Sequence, residues 1–355
     1  MCTRHSIHCF IPPYILEHMA QSPQERVRAL AITNLASGAA FVAFRMSAQA
    51  MPTLLARKSP DGKKNRLIYD AKGTNSLPGT LARAENQKAT GDAAVDEAYD
   101  GSGDVYDFYE QLFQRNSLDG NGMTLVSTTH VAEVDFQGEF VPMNNAFWNG
   151  QQMAYGDGDG IVFERFTGSL EVIGHELTHG VQSFTSNLTY QGQSGALNEH
   201  FADVFGMLIR QWKEGTAVEE ASWVVGKELL VPAPTRRGIR DMENPGTAYA
   251  NDPELGDDPQ PATMAGLYTG PKDNGGVHIN SGIPNRAFVL TAKALGGNAW
   301  EVAGRIWYET MLQLHSSSQF DDCARITVQV AGNKRYGAAA KKAVKAAWKK
   351  VGITV

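Results

Sequence analysis

The amino-acid sequence predicts an α+β protein of two lobes, a β-rich N-terminal lobe and an α-helical C-terminal lobe with a cleft between them. Three observations carry this. Residues from about 60 to 165 are rich in β-type runs and tight turns. The remainder is largely helical in its apolar spacing. Between the two lies His175-Glu176-Leu177-Thr178-His179, on a helix that this order puts at the cleft floor.

The elements follow in chain order. Met1-Cys2-Thr3-Arg4-His5 opens the chain, and Ile11 is followed at once by Pro12-Pro13, so the continuous apolar core of a secretory signal is missing. A cytoplasmic location and export by a non-classical route both stay open. Residues 14 to 46 read as helix-rich, with Ile15, Leu16, Met19, Val27, Leu30, Ala31 and Leu35 as apolar positions. The runs from Gly122 to Thr128 and from Val131 to Phe140 read as strands. In the histidine helix, Ile173, Leu177, Val181 and Phe184 form the apolar stripe, and His175 and His179 point about 200° away from it. A second helix carries the stripe Leu197, Phe201, Val204, Phe205 and Leu208, with Glu199 and Asp203 opposite, one turn apart. The Pro-rich stretch from Asn251 to Ala262 reads as a surface loop, and an Ala/Lys-rich helix from Tyr336 to Lys350 closes the chain.

Two imidazoles four residues apart lie on one helix face and can reach a single Zn²⁺, while Glu176 can hold a water on that metal. A catalytic zinc keeps three protein ligands and one open position. Glu199 is the candidate third ligand, far enough beyond His179 for a turn and a returning helix. Asp203 is then placed to accept the far N–H of a ligand histidine. His200 faces another way.

These residues, with Asn144-Asn145-Ala146-Phe147-Trp148-Asn149-Gly150, Gly156-Asp157-Gly158-Asp159-Gly160, Ser194-Gly195-Ala196-Leu197-Asn198-Glu199 and the segment Asp273 to Gly282, carry a resemblance. The chain resembles the thermolysin family of zinc peptidases, itself the type case of a His₂Glu catalytic zinc, and within it the protealysin-like precursors. The resemblance covers essentially the whole chain. It implies a zinc-dependent neutral endopeptidase, made as a zymogen, that cleaves before hydrophobic residues by glutamate-assisted attack of zinc-bound water. His175, His179 and Glu199 would bind one zinc, with Glu176 as general base. His278 would stabilise the tetrahedral intermediate or donate a proton, Asp273 would orient it, and Tyr190 would donate to the oxyanion. Asn145 and the Ala146 backbone match the substrate-anchoring edge. Arg240 matches an arginine that contacts the substrate carbonyl. Phe163, Val172, Val225, Leu229 and Ile239 match the pocket for the residue after the scissile bond, and all five are apolar.

One departure stands out. The family's double calcium site would correspond to Glu171, Arg210, Ser222, Val224 and Lys227. Four of these cannot supply a carboxylate, so that site is expected to be absent. Asp157-Gly158-Asp159-Gly160 and Asp119-Gly120-Asn121-Gly122 lack the remaining ligands of a calcium loop and read as Gly-rich turns; other calcium sites stay open.

Phe10-Ile11-Pro12-Pro13-Tyr14-Ile15-Leu16 resembles the propeptide signature of protealysin-like precursors. The expected organisation is a propeptide over residues 1–50, a β-rich catalytic lobe with the zinc helix over 51–185, and a helical lobe over 186–355. Processing is expected between Ala48 and Ser59, with the propeptide as intramolecular inhibitor. Cys9 is either a thiolate that fills the open zinc position or a small hydrophobe of the propeptide.

At 355 residues, 42% hydrophobic and 20% charged, the chain can bury two cores. A net charge of −6 gives no reason to expect nucleic acid, and no run approaches the roughly 18 apolar residues of a membrane span. The three cysteines, Cys2, Cys9 and Cys323, form no plausible disulfide framework. Expected partners are protein or peptide substrates, the chain's own propeptide and a proteinaceous inhibitor, with the protein acting as a monomer. A catalytically silent binding protein on the same fold is the alternative reading; the intact set of Glu176, His278, Tyr190 and Asp273 argues for the enzyme.

Overall fold

The computed structural model describes residues 8–48 and 58–355. The helix-rich N-terminal stretch is a two-residue strand β1 (His8–Cys9) followed by helices α1 (Pro13–Met19) and α2 (Glu25–Ala48). Pro13 opens α1, where a missing N–H costs nothing because no carbonyl would receive it. Ile15, Leu16, Met19, Val27 and Ala31 are buried in the same apolar cluster as the histidine helix, so this segment shares the core of the main body. The expected processing point lies largely outside the described residues.

The N-terminal lobe holds β2 (Arg66–Thr74), β3 (Thr80–Ala84), helix α3 (Ala93–Phe113), β4 (Leu125–Val134), β5 (Phe140–Pro142), β6 (Ala146–Trp148) and β7 (Met153–Gly156). The strands form a mixed sheet in the order β1-β6-β7-β4-β2-β3, with β5 paired to β4. The β2–β4 and β4–β7 pairs are parallel and the others antiparallel. β6 therefore has β1 as its outer neighbour, on the edge where an extended peptide would add. The run from Val131 to Phe140 is not one strand. Asp135 accepts the N–H groups of Gln137 and Glu139, the chain reverses, and Phe140 returns opposite Val134.

α3 is an element that the β-rich reading overlooked. Gly101 and Gly103 disguise its helical pattern, yet both are close-approach positions. A Cβ at Gly101 would lie 2.4 Å from Ile173 Cδ1, and one at Gly103 2.3 Å from an Arg66 guanidinium nitrogen.

Two long helices follow, α4 (Leu170–Ser183), which carries the histidines, and α5 (Gly192–Glu214). A short antiparallel pair follows, β8 (Val224–Val225) with β9 (Arg240–Asp241), then α6 (Lys272–Asn280), α7 (Gly282–Leu295), α8 (Val302–Met311), α9 (Phe320–Ala331) and α10 (Gly337–Lys350). α4 and α5 meet at glycine: a Cβ on Gly206 would be 2.5 Å from the Glu171 carbonyl oxygen, and one on Gly174 3.1 Å from Gly206 Cα. That close approach brings the histidines of α4 against the carboxylates of α5.

Three expectations need correction. Phe184 lies at the C-cap of α4 and is 47% exposed, so the apolar stripe ends at Val181. The polar face of α4 is not open to solvent, because every residue from Glu171 to Gln182 is buried. The stretch from Asn251 to Ala262 is only partly a surface loop. Asp252, Leu255 and Gln260 are buried, with Asp252 holding Arg236 and the N–H groups of Glu254 and Leu255. No helix among the described residues is long and apolar enough to cross a membrane.

Candidate active site

The i, i+4 spacing on α4 brings the Nε2 atoms of His175 and His179 to 3.1 Å from each other. Glu199, from α5, places Oε2 3.4 Å from His175 Nε2 and Oε1 3.5 Å from His179 Nε2. Glu176 joins the two histidines in a group of three whose potential ligand atoms lie within 4.8 Å of one another. The outer ring nitrogens are tied down, His175 Nδ1 to Asp203 Oδ1 at 2.9 Å and His179 Nδ1 to Asn198 Oδ1 at 2.8 Å. Both partners are acceptor oxygens, so each Nδ1 carries hydrogen and each Nε2 turns a lone pair inward.

Two inward lone pairs at this distance call for a cation between them. Nitrogens on a tetrahedral zinc, bonded at about 2.0–2.1 Å, stand roughly 3.3 Å apart. Glu199 Oε2 is buried and has no hydrogen-bond partner among the described residues. The donor set therefore fits one zinc ion. Burial opposes charge on His175, yet Asp203 and Glu199 raise its pKa to about 9, while burial pushes His179 down to about 3. A metal between the two Nε2 atoms would displace any proton held there.

Burial lifts Glu176 to a pKa of about 8; a nearby dication would draw it back down. Its Oε2 is held by the Trp148 N–H at 2.9 Å, and its Oε1 is buried and unpartnered among the described residues. On the opposite side, Tyr190 hydrogen-bonds Glu199 Oε1 and lies 3.1 Å from His278 Nε2. His278 Nδ1 meets Asp273 Oδ1 at 2.6 Å. Asp273, Asn274, Gly275 and Gly276 all have left-handed backbone angles, which Asp, Asn and Gly tolerate best. The turn folds Asp273 back so that its second oxygen accepts the N–H groups of His278 and Ile279. One carboxylate thus caps the helix and orients the imidazole.

The cleft is filled by the N-terminal segment. β1 pairs antiparallel with β6, matching Cys9 to Phe147. The Phe10 N–H donates to the Ala146 carbonyl at 3.1 Å, the Ile11 N–H to Asn145 Oδ1 at 3.1 Å, and Arg240 donates to the Phe10 carbonyl at 3.3 Å. His278 Nε2 stands 3.1 Å from the Cys9 carbonyl oxygen. A carbonyl and a carboxylate can only accept, so His278 carries hydrogen on both nitrogens and is an imidazolium here. Glu199 and Asp273 raise its pKa against the opposing effect of burial.

The Phe10 side chain is 0% exposed. It lies edge-on to His175 at 5.2 Å and beneath the Arg240 guanidinium at 4.9 Å. Phe163, Val172, Val225, Leu229 and Ile239 are all buried in the apolar core that also holds Phe10, and Ile239 and the Phe10 ring both border Gly226. Cys9, one residue before, alternates to the other side of the strand and packs beside Phe147. It offers the site its carbonyl, and the group of His175, Glu176 and His179 includes no cysteine among the described residues.

Arg240 reaches the carboxylate one turn beyond Glu199 on α5. Its guanidinium grips Asp203, which also accepts from Asn285. At the positions compared with a double calcium site, Arg210 reaches Glu171 at 3.5 Å, Glu214 at 2.9 Å and Glu228 at 2.7 Å. Asn198, the Trp148 N–H and Phe10 are site features that sequence reasoning passed over. Phe10 carried a signal, an aromatic residue beside the Pro-Pro pair; Asn198 carried none beyond adjacency to Glu199.

Comparison with known proteins accords with this geometry. Residues 56–183 match the thermolysin metallopeptidase catalytic domain, and residues 186–353 the thermolysin metallopeptidase alpha-helical domain. The chain is 46% identical over 347 residues to an extracellular metalloprotease of Pectobacterium carotovorum subsp. carotovorum, covering 97% of this chain and 96% of that protein. It is 50% identical over 295 residues to protease PrtS of Photorhabdus sp. (strain Az29), covering 82% and 77%. Among solved structures, the precursor of protealysin, a metalloproteinase from Serratia proteamaculans, superposes with a TM-score of 0.86 at 42% identity, covering 98% of this chain and 100% of that one.

Proposed function

Because this chain belongs to the thermolysin family of metallopeptidases, we propose that His175, His179 and Glu199 hold its one zinc ion and that Glu176 is its general base. The enzyme is a neutral metalloendopeptidase made as a precursor. The observation that carries the residue assignment is the pair of inward Nε2 atoms 3.1 Å apart, flanked by a buried carboxylate oxygen with no hydrogen-bond partner among the described residues.

Zinc, when bound, supplies Lewis acidity that polarises the scissile carbonyl and makes water acidic near neutral pH. The protein supplies the rest. Glu176 takes the proton of the attacking water through its unpartnered Oε1 and delivers it to the leaving nitrogen. His278, held as an imidazolium by Asp273, and the Tyr190 hydroxyl donate to the oxygen on which negative charge develops. Asn145, the Ala146 carbonyl and Arg240 fix the substrate backbone. The pocket of Phe163, Val172, Val225, Leu229 and Ile239 takes the hydrophobic side chain that follows the scissile bond. Asp203 and Asn198 orient the two histidines.

Residues 1–50 are proposed to be the propeptide, acting as intramolecular inhibitor through Phe10, and the remainder the two catalytic lobes, 51–185 and 186–355. The Arg210 guanidinium among Glu171, Glu214 and Glu228 is proposed to stand in for a double calcium site. Action outside the cell is proposed from the name of the Pectobacterium relative.

The test pairs zinc analysis with peptide cleavage after propeptide removal. Wild type should bind one zinc and cleave before Phe or Leu. Glu176→Ala should keep the zinc and lose about 10²–10⁴-fold in rate. Zinc retained by both proteins with neither cleaving would overturn the reading.

A further inference from the structure

The N-terminal segment does more than cover the cleft: it threads it in the register of a substrate. The Cys9 carbonyl lies on His278, the Phe10 nitrogen on the Ala146 carbonyl, the Phe10 carbonyl on Arg240 and the Ile11 nitrogen on Asn145. The buried Phe10 side chain sits against His175, Arg240 and Gly226, and the chain runs antiparallel to the β6 edge. The bond between Cys9 and Phe10 is thus presented as a peptide bond to be broken. We propose that this bond is itself a substrate, and that the precursor clips its own propeptide between Cys9 and Phe10 while the rest stays bound.

The step balances without any co-reactant beyond water. The water oxygen bonds to the Cys9 carbonyl carbon, and the bond from that carbon to the Phe10 nitrogen breaks. Glu176 moves both protons of the water in turn to that nitrogen, leaving a carboxylate on Cys9 and an ammonium on Phe10. His278 already faces the carbonyl oxygen on which charge develops. The proposal rests on the peptidase reading above.

Clipping here would not open the cleft, because the anchors of the propeptide lie beyond the cut. Ile15, Leu16, Met19, Val27 and Ala31 remain buried. The Asn34 side-chain amide accepts from the Asn144 N–H at 2.7 Å and donates to the Pro142 carbonyl at 3.3 Å. Gln24 reaches Glu254 at 3.0 Å. Residues 8 and 9 contribute the short β1–β6 ladder, the contact with His278 and the packing of Cys9 beside Phe147. The product therefore keeps Phe10 in the pocket, now at a chain end, and the enzyme stays latent until the propeptide is removed as a whole.

The test uses the full chain loaded with zinc. Intact mass and N-terminal sequencing should show loss of residues 1–9 and a new terminus at Phe10 in wild type. Glu176→Ala should keep the original terminus, and the wild-type rate should not change with protein concentration. A second readout needs no turnover. In Glu176→Ala, adding Phe10→Asp should speed tryptic cutting at Arg26 and Arg28 at least tenfold, because the undocked segment opens. An uncut Cys9–Phe10 bond in a protein that cleaves external hydrophobic peptides once its propeptide is removed overturns the proposal and leaves the peptidase reading standing. Unchanged tryptic cutting overturns it as well, and failure on external peptides too overturns both.

Discussion

Asp203 binds Arg240 through two guanidinium nitrogens at 2.8 and 2.9 Å, while the same carboxylate accepts from His175 Nδ1 at 2.9 Å. One buried acid thus ties a metal-facing imidazole to the arginine that holds the backbone of the chain in the cleft. Arg240 draws the Asp203 carboxyl well below its usual range against the cost of burial, so it stays ionised. An ionised acceptor keeps the proton on Nδ1 and the lone pair on Nε2.

Removing Asp203 should therefore damage two properties together. Asp203→Ala leaves Arg240 buried without its partner, at a cost of about 3–5 kcal/mol in stability. It also frees the His175 ring, which should weaken zinc binding by about 10–100-fold. Zinc titration against a competing chelator and urea unfolding measure the two effects separately. Wild-type zinc affinity in Asp203→Ala would refute the orienting role.

The depth of the apolar pocket is set at Gly226. Its φ is +70°, and a Cβ there would lie 2.7 Å from Ile239 Cγ1 and 3.4 Å from the Phe10 ring. Gly226→Ala should push Ile239 into the space that the ring occupies. One methyl group's worth of pocket is worth about 1–3 kcal/mol in discrimination. The ratio of kcat/KM for cleavage before Phe to that before Val should fall about tenfold in the mature enzyme. Strain at the positive φ lowers the folded fraction equally for both substrates and leaves the ratio untouched. An unchanged ratio would mean that Gly226 does not limit the pocket.

Most of the proposed metal centre was legible because its candidate ligands come from helices. Spacings of four on α4 and α5 place His175 with His179, and Glu199 with Asp203, with no knowledge of the rest of the chain. The hidden parts depend on contacts distant in sequence. α3 was masked by glycines whose reason is Ile173 and Arg66. Burial of the whole histidine helix could not be read from its amphipathic pattern, because the covering group, Phe10, comes from the far N-terminus. The Cys9 thiol is the chemically distinctive group of this segment, yet strand alternation turns Phe10 inward and leaves Cys9 to face the site through its backbone.

Arg210 occupies ground where three carboxylates, Glu171, Glu214 and Glu228, would otherwise repel one another. Glu171 is the critical member: it is buried, burial raises its pKa, and its Oε1 also accepts the Gly226 N–H at 3.3 Å. Arg210→Ala should cost about 2 kcal/mol, the order expected for a buried acceptor stripped of its charged partner. A guanidinium already fills the cluster, so removing Glu171, Glu214 or Glu228 should not change the response of Tm to millimolar calcium. A calcium-dependent rise in wild-type Tm that Glu214→Gln or Glu228→Gln abolishes would disprove the substitution of arginine for metal.

His130 provides a pH dependence remote from the zinc ligands. Its Nδ1 lies 2.8 Å from Asp157 and its Nε2 3.1 Å from Asp92, the residue that caps α3. The hydrogen bond to Asp157, aided by Asp92, raises its pKa from 6.5 to about 9 against partial burial. The folded state thus holds the proton more tightly than the unfolded chain. The resulting stability is complete below about pH 6.5 and is lost as pH rises through 9. Both carboxylates are substantially exposed, so solvent screening reduces the effect to about 1 kcal/mol. His130→Asn removes the charge while suiting the positive φ of 54° at this position. Measured by urea unfolding in a Glu176→Ala background, which prevents autolysis, the variant should be less stable by about 1 kcal/mol at pH 6. The gap should close by pH 9.5, beyond the folded pKa. A gap that stays constant across this range would show that the His130 charge contributes nothing and that any loss comes from packing.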